Sequence, residues 1–208
     1  MRQFRALSLI SLVALGACNV DRTTQPSGIT VSPRFAAVNG AAGCVQPAPG
    51  IVAWWRGEGN ALDEVNGHDG TFQGNATYGA GIAGQGFVFD GQSWVEVPND
   101  PAWNFGASAF TIELWTKSDP NAGFRPFISH DEGGGQLAKW IFWTEGALEF
   151  HINDPVIYNR YPVQAWFPGS DEWQHVAVTR TKNGDYTLYL DGAIVATGTD
   201  PIAIALST

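Results

Sequence analysis

The sequence predicts an all-β fold, an antiparallel sandwich or jelly roll, on three observations. Short apolar and aromatic runs in residues 51–208 are separated by Gly, Asn, Asp and Pro, with no convincing helical spacing anywhere among them. Within the runs, Phe110, Ile112 and Leu114 alternate with Thr111, Glu113 and Trp115, and Val176 and Val178 alternate with His175, Ala177 and Thr179. A period of two sends one set of side chains to a core and the other to solvent. Asp90-Gly91, Asn183-Gly184 and Asp191-Gly192 fall between such runs, and glycine supplies the positive φ of a tight hairpin, so each pair predicts two antiparallel neighbours. Strands at spacings of roughly 8 to 12 residues suit a sandwich or jelly roll. No internal repeat of propeller size is present.

Ahead of this domain, Arg2 and Arg5 precede an apolar run over 6–15, and the small residues Gly16 and Ala17 lead into Cys18. These are the three zones of an export signal, residues 1–18. The run is about ten residues long, short of the roughly 20 needed for a permanent membrane-spanning helix. Leu15, Gly16, Ala17 and Cys18 resemble the lipobox of bacterial lipoproteins, which implies lipidation of Cys18, attachment to the cell envelope and, with Asn rather than Asp at position 19, passage to the outer membrane. Ordinary cleavage near Ala17 is one alternative. A Cys18–Cys44 disulfide, permitted in an oxidising compartment, is another, but it would staple only a tail. Residues 19–50, rich in Thr, Pro, Ala, Gly and Ser, read as a tether. Residues 51–208 form one domain, long enough to bury a core without disulfides.

Loss of Arg2 and Arg5 with the signal takes the formal net charge from −9 to −11. Such an acidic surface excludes nucleic acid and anionic lipid as natural partners of the domain. It suits neutral ligands, cations or plain solubility.

Four segments are similar to the laminin-G-like jelly rolls of the concanavalin A-like lectin and glucanase superfamily. The first runs from Ile51 through Trp54, Trp55 and Gly59 to Asp63, Asn66 and Gly70; the second from Gly84 through Asp90 and Gly91 to Trp94 and Pro98. The third is Phe110 to Trp115, and the fourth joins Glu172, Trp173, His175 and Val178 to Tyr189, Asp191 and Gly192. The resemblance implies the jelly roll and says little of function. Related domains continue past the last hairpin through two closing strands with a glycine-rich turn and an aspartate. The segment from Pro201 to Thr208 lacks these features, so the resemblance implies a C-terminally truncated domain, or one that closes in another way. The stretch from Asn153 to Gly169 is longer and more aromatic than the family's connection and is a candidate binding loop.

Nine tryptophans exceed what a core of this size requires. Flat aromatic faces stack on sugar rings while the indole N–H serves a polar partner. Trp54, Trp55, Trp94, Trp115 and Trp173, at strand positions, are expected in the core. Trp143, Tyr158, Tyr161 and Trp166, in or beside the aromatic stretch, are the candidate carbohydrate ligands. Asp63, Glu64, Asn66 and Asp69 cluster in one loop, and oxygen ligands of this kind suit Ca2+. The resemblance points to Asp63 and Asn66 within that set, although an Asx turn explains both without metal. His130, Asp131 and Glu132 read as a polar hairpin loop, and His175 as a packed strand histidine.

Glycoside hydrolysis needs two carboxylates flanking one bond. The glucanase pattern Glu-x-Asp-x-x-Glu is absent; Glu113 and Glu149 are isolated, so a catalytic pair would have to assemble across the sheet. No hydrolase elbow, zinc-protease helix or phosphate loop is present. The sequence therefore predicts an exported, envelope-anchored, non-catalytic module, carbohydrate-binding or adhesive, whose partner is a carbohydrate or another extracellular ligand. A glycoside hydrolase and a structural or protein-interaction domain remain as alternatives.

Overall fold

The computed structural model describes residues 3–6, 47–119, 123–131, 137–154, 157–167 and 169–205. Cys18, Cys44, Glu132 and nearly all of the expected signal and tether lie outside the described residues. Among those described, thirteen strands are present and every pairing between them is antiparallel. One sheet has seven strands in the order β10-β9-β8-β7-β1-β5-β2. These are β1 (Gln3–Ala6), β2 (Thr71–Gln73), β5 (Trp94–Pro98), β7 (Arg125–Asp131), β8 (Lys139–Thr144), β9 (Ala147–Asn153) and β10 (Arg160–Trp166). A second sheet holds β13 (Ala193–Thr199), β12 (Asp185–Leu190), β11 (Ser170–Arg180) and β6 (Phe110–Ser118) in that order. A short ribbon pairs β3 (Thr77–Ala80) with β4 (Gln85–Val88).

Alternation explains how the sheets meet. Leu114, Val176, Val178, Tyr186 and Leu188 turn inward from the smaller sheet, and Trp140, Phe142, Leu148, Phe150 and Ile152 from the larger one, all of them buried. Phe110 stands 5.4 Å from Phe150, and Phe150 stands 5.8 Å from Tyr186, so aromatic rings bridge the two layers. Full burial of each such ring contributes about 1.5–3 kcal/mol. Two of the three buried indoles find acceptors: Trp140 Nε1 donates to the Trp103 carbonyl at 3.0 Å, and Trp103 Nε1 donates to the Pro98 carbonyl at 3.2 Å.

Two expected hairpins form. Asn183 and Gly184 turn β11 into β12, and Asp191 (φ 50°) and Gly192 (φ 80°) turn β12 into β13. At Gly184 a side chain is excluded twice over, by φ of 83° and by the Asp200 carbonyl, which a Cβ would meet at 2.3 Å. Asp90 and Gly91 do not make the third hairpin: they join β4 to β5, which belong to different sheets. There Asp90 Oδ1 accepts from Gln92 N at 2.9 Å, a local Asx turn that redirects the chain without pairing its flanks. The stretch expected as a binding loop from Asn153 to Gly169 contains strand β10, at the edge of the larger sheet. Its Pro162 is tolerable because it sits at an edge and beside a bulge between Arg160 and Val163.

The loop after Trp54 is built around Asp63, whose side chain is fully buried. Its Oδ1 accepts from Trp54 N (2.8 Å) and Val65 N (3.0 Å), and its Oδ2 from Asn66 N (3.1 Å) and His68 N (3.0 Å). Burial pushes the pKa of this carboxyl up, but the four backbone donors outweigh burial and hold it below the ordinary value of 3.8. The sign follows: the stabilisation is complete above that ordinary value and is lost as pH falls through the lowered one. Asp63→Ala, by leaving these N–H groups without an acceptor, is expected to cost about 2–4 kcal/mol. Urea unfolding at neutral pH and at pH 3–4 checks this: the penalty should shrink in acid, and a variant as stable as the parent at neutral pH would remove Asp63 as the organiser of the loop.

Candidate carbohydrate-binding face

Strands β8, β9 and β10 present one outer face. On β9, Leu148, Phe150 and Ile152 are buried in the core, so Ala147, Glu149 and His151 point the other way. Register carries that face across the sheet: Trp143 on β8 lies opposite Glu149, and Glu149 lies opposite Gln164 on β10. Trp166, two residues beyond Gln164 and opposite Ala147, shares the face and is 79% exposed. The next residue, Phe167, is buried, and its N–H donates to the Gly146 carbonyl at 3.1 Å, which fixes the direction in which Trp166 points.

The aromatic side chains are supported from below and beside. Phe124, half exposed, packs on Trp143 with ring centroids 4.5 Å apart. Tyr161 stacks on His151 at 4.7 Å with an interplanar angle of 18°. Two strand spacings and a two-residue offset place the Cα atoms of Trp143 and Trp166 about 12 Å apart, a span longer than one sugar ring. Trp143 Nε1 and His151 Nε2 are enclosed without a hydrogen-bond partner among the described residues. Orphaned polar atoms are uncommon in folded proteins, and this chain also has them away from the face, Thr116 Oγ1 and Ser118 Oγ among them.

Burial, and then the neighbouring Glu145 carboxylate, push the Glu149 pKa above its ordinary value. Burial likewise holds the His151 imidazole below its usual pKa, so near neutral pH it is an uncharged donor and acceptor. The face thus combines hydrophobic plates with groups that can meet hydroxyls.

Three of the four residues expected from the sequence, Trp143, Tyr161 and Trp166, share this face. Tyr158 is exposed in the segment leading into β10. Glu149, Gln164, His151 and Phe124 were not anticipated as members. A period-two reading of β9, with Leu148, Phe150 and Ile152 inward, would have found Glu149 and His151. Of the tryptophans expected in the core, Trp54 is buried, whereas Trp55, Trp94, Trp115 and Trp173 are half-buried. Trp103 and Trp140 fill the core places instead. Trp115 lies on the outer face of the smaller sheet, tilted against His175 with ring centroids 5.3 Å apart. The packed role expected of His175 fits that contact and its 3.7 Å approach to Glu113.

Asp63 and Asn66 do not fit a calcium ion. All the acceptor capacity of Asp63 described above is taken by N–H groups, with His68 Nδ1 a further 3.0 Å neighbour, and Asn66 Nδ2 donates to the Val52 carbonyl at 2.7 Å. No cluster of three His, Cys, Asp or Glu with metal-binding geometry occurs among the described residues. His130 and Asp131 also diverge: His130 faces inward and contacts Asn99 at 2.9 Å, while Asp131 pairs with Lys139 at 3.2 Å. Glu113 is on β6 and Glu149 on β9, on outward faces of opposite sheets, so they do not assemble into a pair.

No curated protein matches the chain. A laminin-G family model, described as concanavalin A-like lectin/glucanases superfamily, matches residues 89–208, which include β5 to β13 and every member of the aromatic face. With more than half of its length matched and two antiparallel sheets packed on an aromatic core, the chain belongs to the concanavalin A-like lectin/glucanases superfamily.

Proposed function

We propose that the domain is a non-catalytic carbohydrate-binding module that receives a glycan on the outer face of β8, β9 and β10. The observation that carries this reading is the alignment of Trp143, Glu149 and Gln164 in one cross-strand row, flanked by Trp166 and Tyr161. Indole and phenol rings cover the C–H faces of sugar rings, and the carboxylate, amide and imidazole between them meet the hydroxyls at the edges. The acidic surface favours neutral glycans over anionic ones. The span between the two tryptophans favours an oligosaccharide over a single sugar. The rest of the proposal concerns address: the signal at residues 1–18 and a lipid on Cys18 would hold the module at the cell envelope by a tether of residues 19–50.

Trp166→Ala is expected to weaken glycan binding at least tenfold, about 1.4 kcal/mol or more, with the thermal midpoint unchanged because the ring is mostly in solvent. A glycan array followed by calorimetry on the best ligand measures both. Wild-type silence across the array would favour the protein-interaction alternative.

Glu149 supplies a second expectation with two signs. As an acceptor it binds hydroxyls best when ionised, so affinity should fall as pH drops through its raised pKa, and Glu149→Gln should flatten that dependence. For stability the raised value means the folded state holds the proton more tightly than the unfolded chain. The penalty is therefore absent in acid and develops as pH rises through that value, so Glu149→Gln should be slightly more stable than the parent at neutral pH. Hydrolysis of a glycan panel that vanishes in Glu149→Gln would instead establish catalysis.

Cys18→Ser should move the protein from the membrane to the soluble fraction of the envelope, since the remaining chain offers no described helix able to cross a bilayer. Unchanged membrane association on cell fractionation would sink the anchor.

A further inference from the structure

The hairpin between β8 and β9 brings a second carboxylate to the aromatic face. Glu145 follows Trp143 by two residues and takes the same side of the sheet by alternation. Its N–H donates to the Ala147 carbonyl at 3.2 Å, which keeps it across from Ala147 around Gly146 (φ 76°). Ala147 in turn lies opposite Trp166. A row of Glu145, Ala147 and Trp166 therefore runs beside the row of Trp143, Glu149 and Gln164. The middle member of the new row ends in a methyl group among long side chains, so a depression lies over Ala147. Adjacent strands are about 4.8 Å apart and like-facing residues along one strand about 6.8 Å, so Glu145, Glu149 and Trp166 border the depression directly and Trp143 and Gln164 diagonally. Glu145 is exposed, beside Gly123 and the Phe124 that packs on Trp143. Among the described residues neither Glu145 nor Glu149 has a side-chain hydrogen bond or an ion pair, and Lys139 on β8 is already paired with Asp131.

We propose that the depression over Ala147 is an ammonium subsite, and that the glycan received on this face carries a protonated amino sugar there. The inference rests on the carbohydrate reading above and names the class of sugar. Burial, and then the Glu145 carboxylate, raise the Glu149 pKa, so the two carboxylates repel each other across the depression. A cation between them turns that repulsion into attraction on both sides. Trp143 and Trp166 border the same space, and an ammonium within about 6 Å of an indole face is drawn to its π-system. The three N–H donors of the ammonium have three acceptors to meet, the two carboxylates and the Gln164 amide oxygen. An N-acetyl group lacks the charge and a quaternary nitrogen lacks the donors, so a free primary amine uses the whole set. The formal net charge of −9 attracts a cationic glycan from a distance as well.

The test is calorimetric titration of the full chain at about pH 6, below the ordinary range of amino groups. The probes are three oligosaccharides of equal length: β-1,4-linked glucosamine, the same oligomer fully N-acetylated, and β-1,4-linked glucose. The glucosamine oligomer should bind about tenfold or more tightly than either neutral one. Glu145→Gln should remove most of that preference while neutral oligomers bind unchanged to within about twofold. Glu149→Gln should weaken the glucosamine oligomer more than the neutral ones. Glu113→Gln removes the same charge from the outward face of the other sheet, where that side chain is 54% exposed, and should leave the preference intact. An equal loss in Glu113→Gln would trace the preference to general attraction toward an acidic protein and overturn the subsite. A preference that survives both Glu145→Gln and Glu149→Gln would overturn it too. Equal affinity for all three oligomers would remove the subsite and leave the carbohydrate reading standing. Silence toward all three removes the subsite, and the glycan array then decides the carbohydrate reading by itself.

Discussion

The buried guanidinium of Arg160 holds together the part of the sandwich on which the candidate site stands. It opens β10, the edge strand of the larger sheet, and pairs with Asp154 at 3.2 Å before the strand and with Asp200 at the end of the smaller sheet's last strand. It also donates to the Ala203 carbonyl at 3.2 Å. One side chain thereby ties the two ends of the segment 154–200 to each other. Breaking a buried set of this kind by removing one member costs about 3–5 kcal/mol, because the charge left behind has no water to turn to. Arg180 repeats the device further in, donating to the carbonyls of Ser108 (2.9 Å) and Ile202 (3.4 Å) and lying over the Tyr186 ring. Burial pushes the pKa of that phenol up to about 12, so it stays a neutral partner beside the arginine.

With β10 fixed at its start, the rest of its course is dictated by close contact. A Cβ at Gly198 on β13 would fall 1.9 Å from the Pro162 carbonyl, so β13 can lie against the β10 backbone only where it has no side chain. The Pro162 bulge turns Tyr161 onto His151 while Gln164 and Trp166 regain register with β9. The ion pair, the glycine contact and the bulge thus fix β10 and with it Tyr161 and Trp166. A rigid frame under an exposed platform lowers the ordering cost of binding, which otherwise consumes much of any interface's gain.

Much of this was legible in the sequence, and the parts that were not share a physical reason. The all-β class, the inward sets of β6 and β11, and the hairpins at Gly184 and Gly192 rest on local patterns of period two and positive φ, which a sequence displays directly. Asp90 and Gly91 display the same signal and still join different sheets, because a turn sets the local bend and not the partner of the strand that follows. Trp143, Tyr161 and Trp166 are candidates from their place in or beside the aromatic stretch and share one face, but the strand that carries two of them looks like a loop in the sequence, since proline and bulge obscure its alternation. Glu149 joined them only through cross-strand register, a relation between residues distant along the chain. Asp63 was misleading for a related reason: a carboxylate in a polar loop has the same letters around it whether cations or N–H groups take its lone pairs.

Among the described residues, an open cleft lies beside the aromatic core. A cavity of about 830 Å³ opens between the segment 48–55 and the free edge of β6, lined by Trp54, Trp55, Trp103, Phe105, Ile112 and Trp140 among others. It is a cleft open on one side, so its lining meets solvent rather than an empty interior. The cavity adjoins the inner side of β6 and reaches the core at Trp140, which is the register partner of His130 on β7. The aromatic face lies on the other side of β8 from Trp140, reached through the alternation of Trp140, Phe142 and Thr144 inward with Trp143 outward. The cavity on one side of β8 and the aromatic face on the other are thus separated by one strand.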